Sequence, residues 1–255
     1  MSRSLDDRLA DVRNLIQDSG SVTVLTGAGV STESGIPDYR GPDGAWTKDP
    51  DSAKYVDIDH YVKDPDIRRR SWIRRGEHPA WTVEPNAAHR ALVELEKNGG
   101  LRALITQNID GLHQKAGSTP EKVLEVHGNL FGVECLGCDD LTTMREALDR
   151  VAAGEPDPHC RECGGLLKSS TIFFGQSLKT SVLRAAAEAA ADCDLFLAIG
   201  TSLTVHPIAG LVDVALGAGA EVVICNAEAT PYDTVARAVV REPIGAAVPA
   251  MLRRT

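Results

Sequence analysis

Hydrophobic positions fall along the chain in two kinds of run. One recurs every three to four residues: Leu5, Leu9, Val12, Leu15 and Ile16 form a single stripe, which predicts an amphipathic helix over 4–18. The other kind is short, continuous and rich in β-branched residues. It occupies 21–26, ending at Gly27; 101–106, ending at Gln107; and 122–126, running into His127. It returns at 170–174, at 195–199 before Gly200, and at 221–225 before Asn226. Unbroken apolar runs of this length predict strands buried on both faces. Helical patterns separate them. One spans about 86–97, capped by Asn86 and stopped by Gly99 and Gly100; the others are an Ala-rich stretch at 180–191 and a segment at about 206–218. Strand and helix in alternation predict an α/β fold with a doubly wound parallel sheet.

Two stretches break the pattern. Residues 41–85 are rich in Pro, Asp, Trp and Arg and weakly periodic, which predicts a helical insertion with loops. Residues 129–169 form a cysteine-bearing module, and its polar 139–159 stretch is expected to be partly mobile. The rest, 1–40, 86–128 and 170–255, makes the main domain.

Composition narrows the function. A chain of 255 residues with 43% hydrophobic and 25% charged residues buries a sizeable core, as an ordinary globular protein does. A net charge of −9 argues against a nucleic-acid partner. The basic cluster from Arg68 to Arg75 is read as a solvated helix face. No stretch is long and apolar enough to span a bilayer, and Met1–Asp18 has no secretory h-region, so no membrane is expected and the location is taken as cytoplasmic. Cys193 and Cys225 adjoin apolar runs and are expected to be buried thiols. The oligomeric state is expected to be monomer or weak oligomer.

Candidate chemistry begins with four cysteines in two pairs, Cys135 with Cys138 and Cys160 with Cys163. Each pair presents two thiolates to one metal, and together they complete a tetrahedron around Zn²⁺ with no open position. Such a site is structural. His159 adjoins Cys160, but the four sulfurs already complete the set.

The segments that follow successive strands are Gly27-Ala28-Gly29, Gln107-Asn108-Ile109-Asp110, Gly200-Thr201-Ser202 and Asn226-Ala227-Glu228. In an open parallel sheet, ligands bind beyond the carboxyl ends of the strands, so these four would line one crevice. Backbone N–H groups there suit a pyrophosphate, and the amide and hydroxyl side chains suit ribose. Gly27-Ala28-Gly29 is not a full G-x-G-x-x-G, and alone it is equally a tight turn. His127, at a strand end before Gly128, suits general-base work, with a hydrogen-bonded structural histidine as the alternative and His113 as the nearest competitor.

The string from Gly27 through Val30, Ser31, Gly35, Ile36, Pro37, Asp38 and Tyr39 to Arg40 resembles the signature of the sirtuins, the NAD-dependent protein deacylases. Thr106–His113 is similar to their second motif and Glu125–Gly128 to their catalytic-histidine motif. The cysteine pairs, Phe174-Gly175, Gly200–Leu203 and Asn226 follow in the family's order. The resemblance covers about residues 20–250 and implies a Rossmann-like NAD⁺-binding domain with a smaller domain made of the helical insertion and the zinc module. It implies that an acyl-lysine peptide lies between them as an added strand, near Phe173, Phe174, Gly175 and Val205. The products implied are nicotinamide, free lysine and O-acyl-ADP-ribose.

The same resemblance implies residue roles. His127 would take a ribose hydroxyl proton. Asn108 would orient ribose or water, and Asp110 with the backbone at Ile36 would hold the nicotinamide carboxamide. Ser31, Arg40, Thr201, Ser202 and Asn226 would position phosphates and riboses, and Tyr39 would cover the reactive face. Gly27, Ala28, Gly29, Pro37, Asp38, Gln107, Ile109, Gly200, Ala227, Glu228 and Ile244 complete the implied NAD⁺ contacts. Departures fall on the peptide side: Lys168-Ser169 stands where Arg-Pro is common and Gln176 where Glu is. The family's succinyl-removing branch carries a Tyr-x-x-Arg pair, and here Trp72-Ile73-Arg74-Arg75 puts Trp in place of Tyr. Rival readings are a protein mono-ADP-ribosyltransferase, a non-catalytic NAD-sensing zinc scaffold, and a dehydrogenase, for which nothing beyond the glycine loop speaks.

Overall fold

The computed structural model describes residues 5–39, 41 and 44–253. Arg40, expected among the phosphate and ribose contacts, lies outside them. The elements in order are α1 (Leu5–Asp18), β1 (Val22–Thr26), α2 (Ala45–Lys48), α3 (Ile58–Lys63), α4 (Pro65–Gly76), α5 (Ala87–Lys97), β2 (Leu101–Thr106), α6 (Leu112–Ala116), β3 (Val123–Glu125) and β4 (Gly132–Cys135). Then come β5 (Leu141–Thr143), α7 (Met144–Ala152), β6 (Leu167–Ser169), α8 (Thr180–Ala191), β7 (Leu195–Ile199), α9 (Leu211–Gly217), β8 (Glu221–Cys225), β9 (Ala238–Val240) and α10 (Ile244–Leu252).

Six strands form one parallel sheet in the order β3-β2-β1-β7-β8-β9. Successive side chains of each strand enter opposite cores, which is why these runs are apolar without a break. Val22, Val24, Leu195, Leu197 and Val223 meet α1, α5 and α10 on one face. Leu25, Phe196, Ala198, Val222 and Ile224 meet α8 and α9 on the other. The chain winds outward from β1 to β2 and β3, then crosses to β7 on the far side of β1. That reversal opens a crevice beyond the carboxyl ends of β1 and β7.

Three expectations are corrected. Residues 170–174 are not a strand of the main sheet. The strand lies earlier, as β6, and pairs antiparallel with β4 beside β5. Residues 170–174 instead run across the crevice, with single bonds from Ile172 N–H to His127 O (2.8 Å) and from Phe174 N–H to Val56 O (2.8 Å). The 206–218 helix is a 3₁₀ turn at Ile208–Gly210 followed by α9. The 139–159 stretch contains β5 and α7, whose start is fixed by a capping box between Thr143 and Glu146.

Trp72 of α4 shares one apolar cluster with Val133, Cys135, Met144, Ala147, Cys160 and Leu167. The helical insertion and the cysteine module therefore fold around a common core. Two polar links reinforce it. Arg68 Nε pairs with Asp157 at 2.8 Å, and the Tyr61 hydroxyl donates to Leu167 O at 2.7 Å. The basic cluster is divided: Arg69, Arg70 and Arg74 lie on the exposed face of α4, as expected, while Arg68 and Arg75 turn inward. Arg68 and Arg75 are buried, Arg69 pairs with Asp66, Arg70 reaches Tyr55 and Arg74 reaches Asp49. Among the described residues, no helix is long and apolar enough to cross a membrane.

Two buried histidines lie under the sheet's carboxyl edge. His89 and His113 sit with ring centroids 4.8 Å apart, and His89 Nε2 and His113 Nδ1 have no hydrogen-bond partner. Burial pushes His89 down to about 4, with the Arg90 guanidinium adding to the shift, and burial holds His113 well below 6.5. Both folded values lie below the unfolded one. The stability these neutral rings carry is therefore complete above about pH 6.5. It is lost as pH falls, because the unfolded chain takes protons that the folded chain refuses. Each pH unit between about 6.5 and 4 is expected to remove up to about 1.4 kcal/mol per histidine. Urea unfolding at pH 7 and pH 5 measures this, and equal midpoints contradict it.

Candidate functional site

A crevice of about 980 Å³ opens where the sheet order reverses. Of the predicted residues, it is lined by Gly27, Ala28, Gly29, Asp38, Tyr39, Gln107, Asn108, Ile109, His127, Gly200, Thr201 and Ser202. Asn226, Ala227, Glu228 and Ile244 line it too, as do Phe173, Phe174, Gly175 and Val205. All four strand-end segments thus meet in one place. Ser31, Ile36, Pro37 and Asp110 do not line it.

The glycines of the first loop answer to packing as well as to any ligand. A Cβ on Gly27 would meet Gly200 O at 2.7 Å, and one on Gly29 would meet Gly200 Cα at 2.8 Å. The N–H groups of Gly27 and Gly29 already donate to Ile199 O and Gly200 O. Those two donors are therefore spent within the protein and are not bare for a pyrophosphate.

Behind the lining runs a buried polar network. Ser31 Oγ donates to Asp110 Oδ2 at 2.7 Å, and Asn108 Nδ2 donates to Gly27 O (3.1 Å) and to Ser31 Oγ (3.2 Å). Asp110 Oδ1 accepts the Leu112 N–H at 2.9 Å. Burial raises the Asp110 pKa, and those hydrogen bonds oppose the rise. Thr26 Oγ1 extends the network between Thr106 and His113, so His113 is a floor residue at 1% exposure, away from the crevice.

His127 is anchored from one side. Its Nδ1 lies 3.0 Å from Gln107 O. A carbonyl only accepts, so Nδ1 carries the proton and Nε2 is left with a lone pair. Burial lowers the pKa of His127, and the bond to Gln107 partly opposes it, so the ring is neutral near pH 7. A neutral imidazole with a fixed tautomer is what a general base requires.

Gly128 explains how the histidine is presented. Its φ is +70°, and a Cβ there would come within 1.9 Å of Ser170 O. The 170–174 segment crosses directly over this bare backbone. Gly128→Ala is expected to destabilise the protein by more than about 3 kcal/mol, from left-handed strain and the clash together. Gly154→Ala, with φ +100° and nothing within 4 Å, isolates the strain. Chemical denaturation of both variants measures the difference; equal losses would refute the clash.

Several residues in or beside the crevice were not predicted. Glu33 accepts the Gly245 N–H at 2.7 Å and so ties the glycine loop to the start of α10. Arg241 Nη1 donates to the carbonyls of Asn226 and Glu228, each at 2.6 Å, bracing the loop after β8 from outside the crevice. Trp46 stands between Tyr39 (4.7 Å between ring centres) and Phe174 (5.4 Å), making an aromatic rim. Arg75 reaches the crevice wall and bonds Thr171 Oγ1 at 2.9 Å. Trp72, three residues earlier, is instead 1% exposed in the shared core. Pro243 just before Ile244 was a legible helix-start signal.

The four cysteine Sγ atoms lie within 4.8 Å of one another. Cys135 and Cys163 are 3.5 Å apart, and Cys138 and Cys160 are 3.7 Å apart. A tetrahedron with Zn–S bonds of about 2.3 Å has sulfurs about 3.8 Å apart, so the cluster fits one Zn²⁺. The N–H groups of Gly137 and Gly165 donate to Cys135 and Cys163 sulfurs, which favours thiolates.

Comparison with known proteins adds to this geometry. The Sir2 family model matches residues 27–207. The NAD-dependent protein deacetylase 2 of Streptomyces coelicolor is 53% identical over 232 residues, covering 91% of this chain and 96% of that protein. The NAD-dependent protein deacetylase of Rhodopseudomonas palustris is 40% identical over 247 residues, covering 95% of each. A solved Sir2 with deacetylated p53 peptide and 3′-O-acetyl ADP ribose superposes with a TM-score of 0.87 at 34% identity, covering 96% of this chain and 97% of that one.

Proposed function

The chain belongs to the Sir2 family, and from that premise we propose that it is an NAD-dependent protein-lysine deacylase working in the crevice beyond β1 and β7. NAD⁺ is the co-substrate and supplies the ADP-ribose that accepts the acyl group; Zn²⁺ is structural. The observation that carries the reading is His127: a neutral ring, tautomer fixed by Gln107 O, in the wall of the one crevice where all four strand-end segments meet.

The residues divide the work. His127 Nε2 takes the proton of a ribose hydroxyl. Asn108, held by Gly27 O and Ser31, orients ribose or water at the crevice floor. Asp110, reached through Ser31 and Asn108, positions the floor that faces the nicotinamide. Thr201, Ser202 and Asn226 hold phosphate and ribose oxygens, with Gln107 Nε2 fixing Thr201 at 2.8 Å. Tyr39 and Trp46 exclude water from the reactive face. The acyl-lysine enters past Phe173, Phe174, Gly175 and Val205. In this reading residues 1–40, 86–128 and 170–255 bind NAD⁺, while 41–85 and 129–169 form the small domain that closes the cleft. Thiolate ligation of zinc favours a reducing compartment, the cytoplasm.

Arg75 makes no ion pair among the described residues, and it donates into the crevice wall at Thr171. An acidic acyl chain would supply the missing carboxylate. The test is therefore a panel of acetyl-, propionyl-, succinyl- and long-chain acyl-lysine peptides with NAD⁺, read by mass spectrometry. One O-acyl-ADP-ribose and one nicotinamide per lysine freed is the expected result. ADP-ribosylated protein with the acyl group intact would replace this reading with the transferase, and no nicotinamide above background would replace it with the scaffold.

A further inference from the structure

Lys168 is a lysine with no exposed surface. Its ammonium uses all three of its donors. It pairs with Glu134 Oε1 at 2.8 Å and donates to Ser169 O and Thr171 O, each at 2.8 Å. The same nitrogen stands 4.7 Å from the centre of the Phe173 ring. The strand register places Lys168 opposite Glu134, and Leu167 opposite Cys135. One end of the arrangement is thus the cysteine-bearing sheet. The other is the 169–173 turn, where the Ser169 and Thr171 hydroxyls meet at 2.9 Å and Ile172 N–H bonds His127 O. Thr171, Ile172 and Phe173 line the crevice, and Lys168 does not.

A buried charge is poor value as a stabiliser, because an apolar residue of similar size usually does as well. Its worth here is geometric: it pulls two carbonyls and a carboxylate to one point. From this we infer that Lys168 is a positioning residue: with Glu134, it fixes the 169–173 turn through which the cysteine-bearing sheet shapes the peptide wall of the crevice and the backbone of His127. The inference rests on the deacylase reading for its kinetic readout and on the fold alone for its structural one.

Lys168→Met is expected to raise the KM for an acetyl-lysine peptide about tenfold. NAD⁺ affinity, measured by calorimetry without peptide, and zinc content should stay at their wild-type values. Amide hydrogen exchange should quicken at Ile172 and Phe174. Lys168→Arg, which keeps the charge and the donors, should restore both readouts. If Lys168→Met does not fold, the double variant Lys168→Met with Glu134→Leu orphans no charge and is read the same way. An unchanged peptide KM with unchanged exchange overturns the inference. So does an equal loss of NAD⁺ affinity, which would make Lys168 a general stabiliser. If the wild-type protein deacylates no peptide, the proposed function falls, while exchange at residues 172 and 174 still decides whether Lys168 holds this turn.

Discussion

His127→Ala is expected to lower deacylation by about 10²–10⁴-fold, the usual worth of a positioned general base. The melting temperature should change little. Among the described residues the imidazole holds one bond to the protein, from Nδ1 to Gln107 O, and it lines the crevice. Nothing in the sheet core depends on it. NAD⁺ binding should survive, because the loops that would hold the dinucleotide are braced by Gly200, Arg241 and Glu33. The pH profile provides a second reading. Burial lowers the pKa of His127, so activity should persist below pH 6.5 before protonation of the ring removes it. Rate measurements on wild type and variant across pH 5–8 check both points. A variant that deacylates at the wild-type rate, or a profile that fails well above pH 6.5, would assign the base to another group.

Cys135→Ala is expected to cost the metal and, with it, the folded state of the whole small domain. Structural zinc is worth about 10–16 kcal/mol to small zinc modules, which matches or exceeds the total stability of a typical domain. Damage should spread beyond the module, since Cys135 and Cys160 pack in the same cluster as Trp72 of α4. Tryptophan emission should therefore shift to the red as Trp72 and Trp81 meet water, and metal analysis should find no bound zinc. Activity would be lost as a consequence of unfolding, not of missing chemistry, because four thiolates leave no site for a reacting water. Retention of both metal and melting curve would contradict the structural role.

Legibility followed the strength of the local signal. The runs at 195–199 and 222–225 were readable because both faces of those strands are buried, so no polar residue interrupts them. Asn86 marked the start of α5 through its own side chain, which caps Ala88 and His89. By contrast, α7 lay in a polar stretch whose only inward positions are Met144 and Ala147, with Leu148 and Val151 half-covered; the Thr143–Glu146 cap was the overlooked clue. The 170–174 segment satisfies the composition of a strand but finds its partners piecemeal, in Gly132 of β4, in His127, and in Val56 and Ile58 of the helical insertion. Helix α10 carries Pro249 and an almost wholly apolar sequence, which hides its period. Within the crevice, the strand-end residues were legible from the topology rule. Arg241 and Trp46 were not, because their roles depend on contacts that no local spacing encodes.

Strand β1 occupies the middle of the sheet although it is the first strand made. One neighbour, β2, follows within the first half of the chain, while the other, β7, follows only after both modules have been synthesised. A nascent chain leaving the ribosome must therefore carry an open, largely apolar strand edge through most of its translation. Premature stop codons before β7 would release an insoluble polypeptide rather than a partly working one. Expression at lower temperature should raise the yield of native protein.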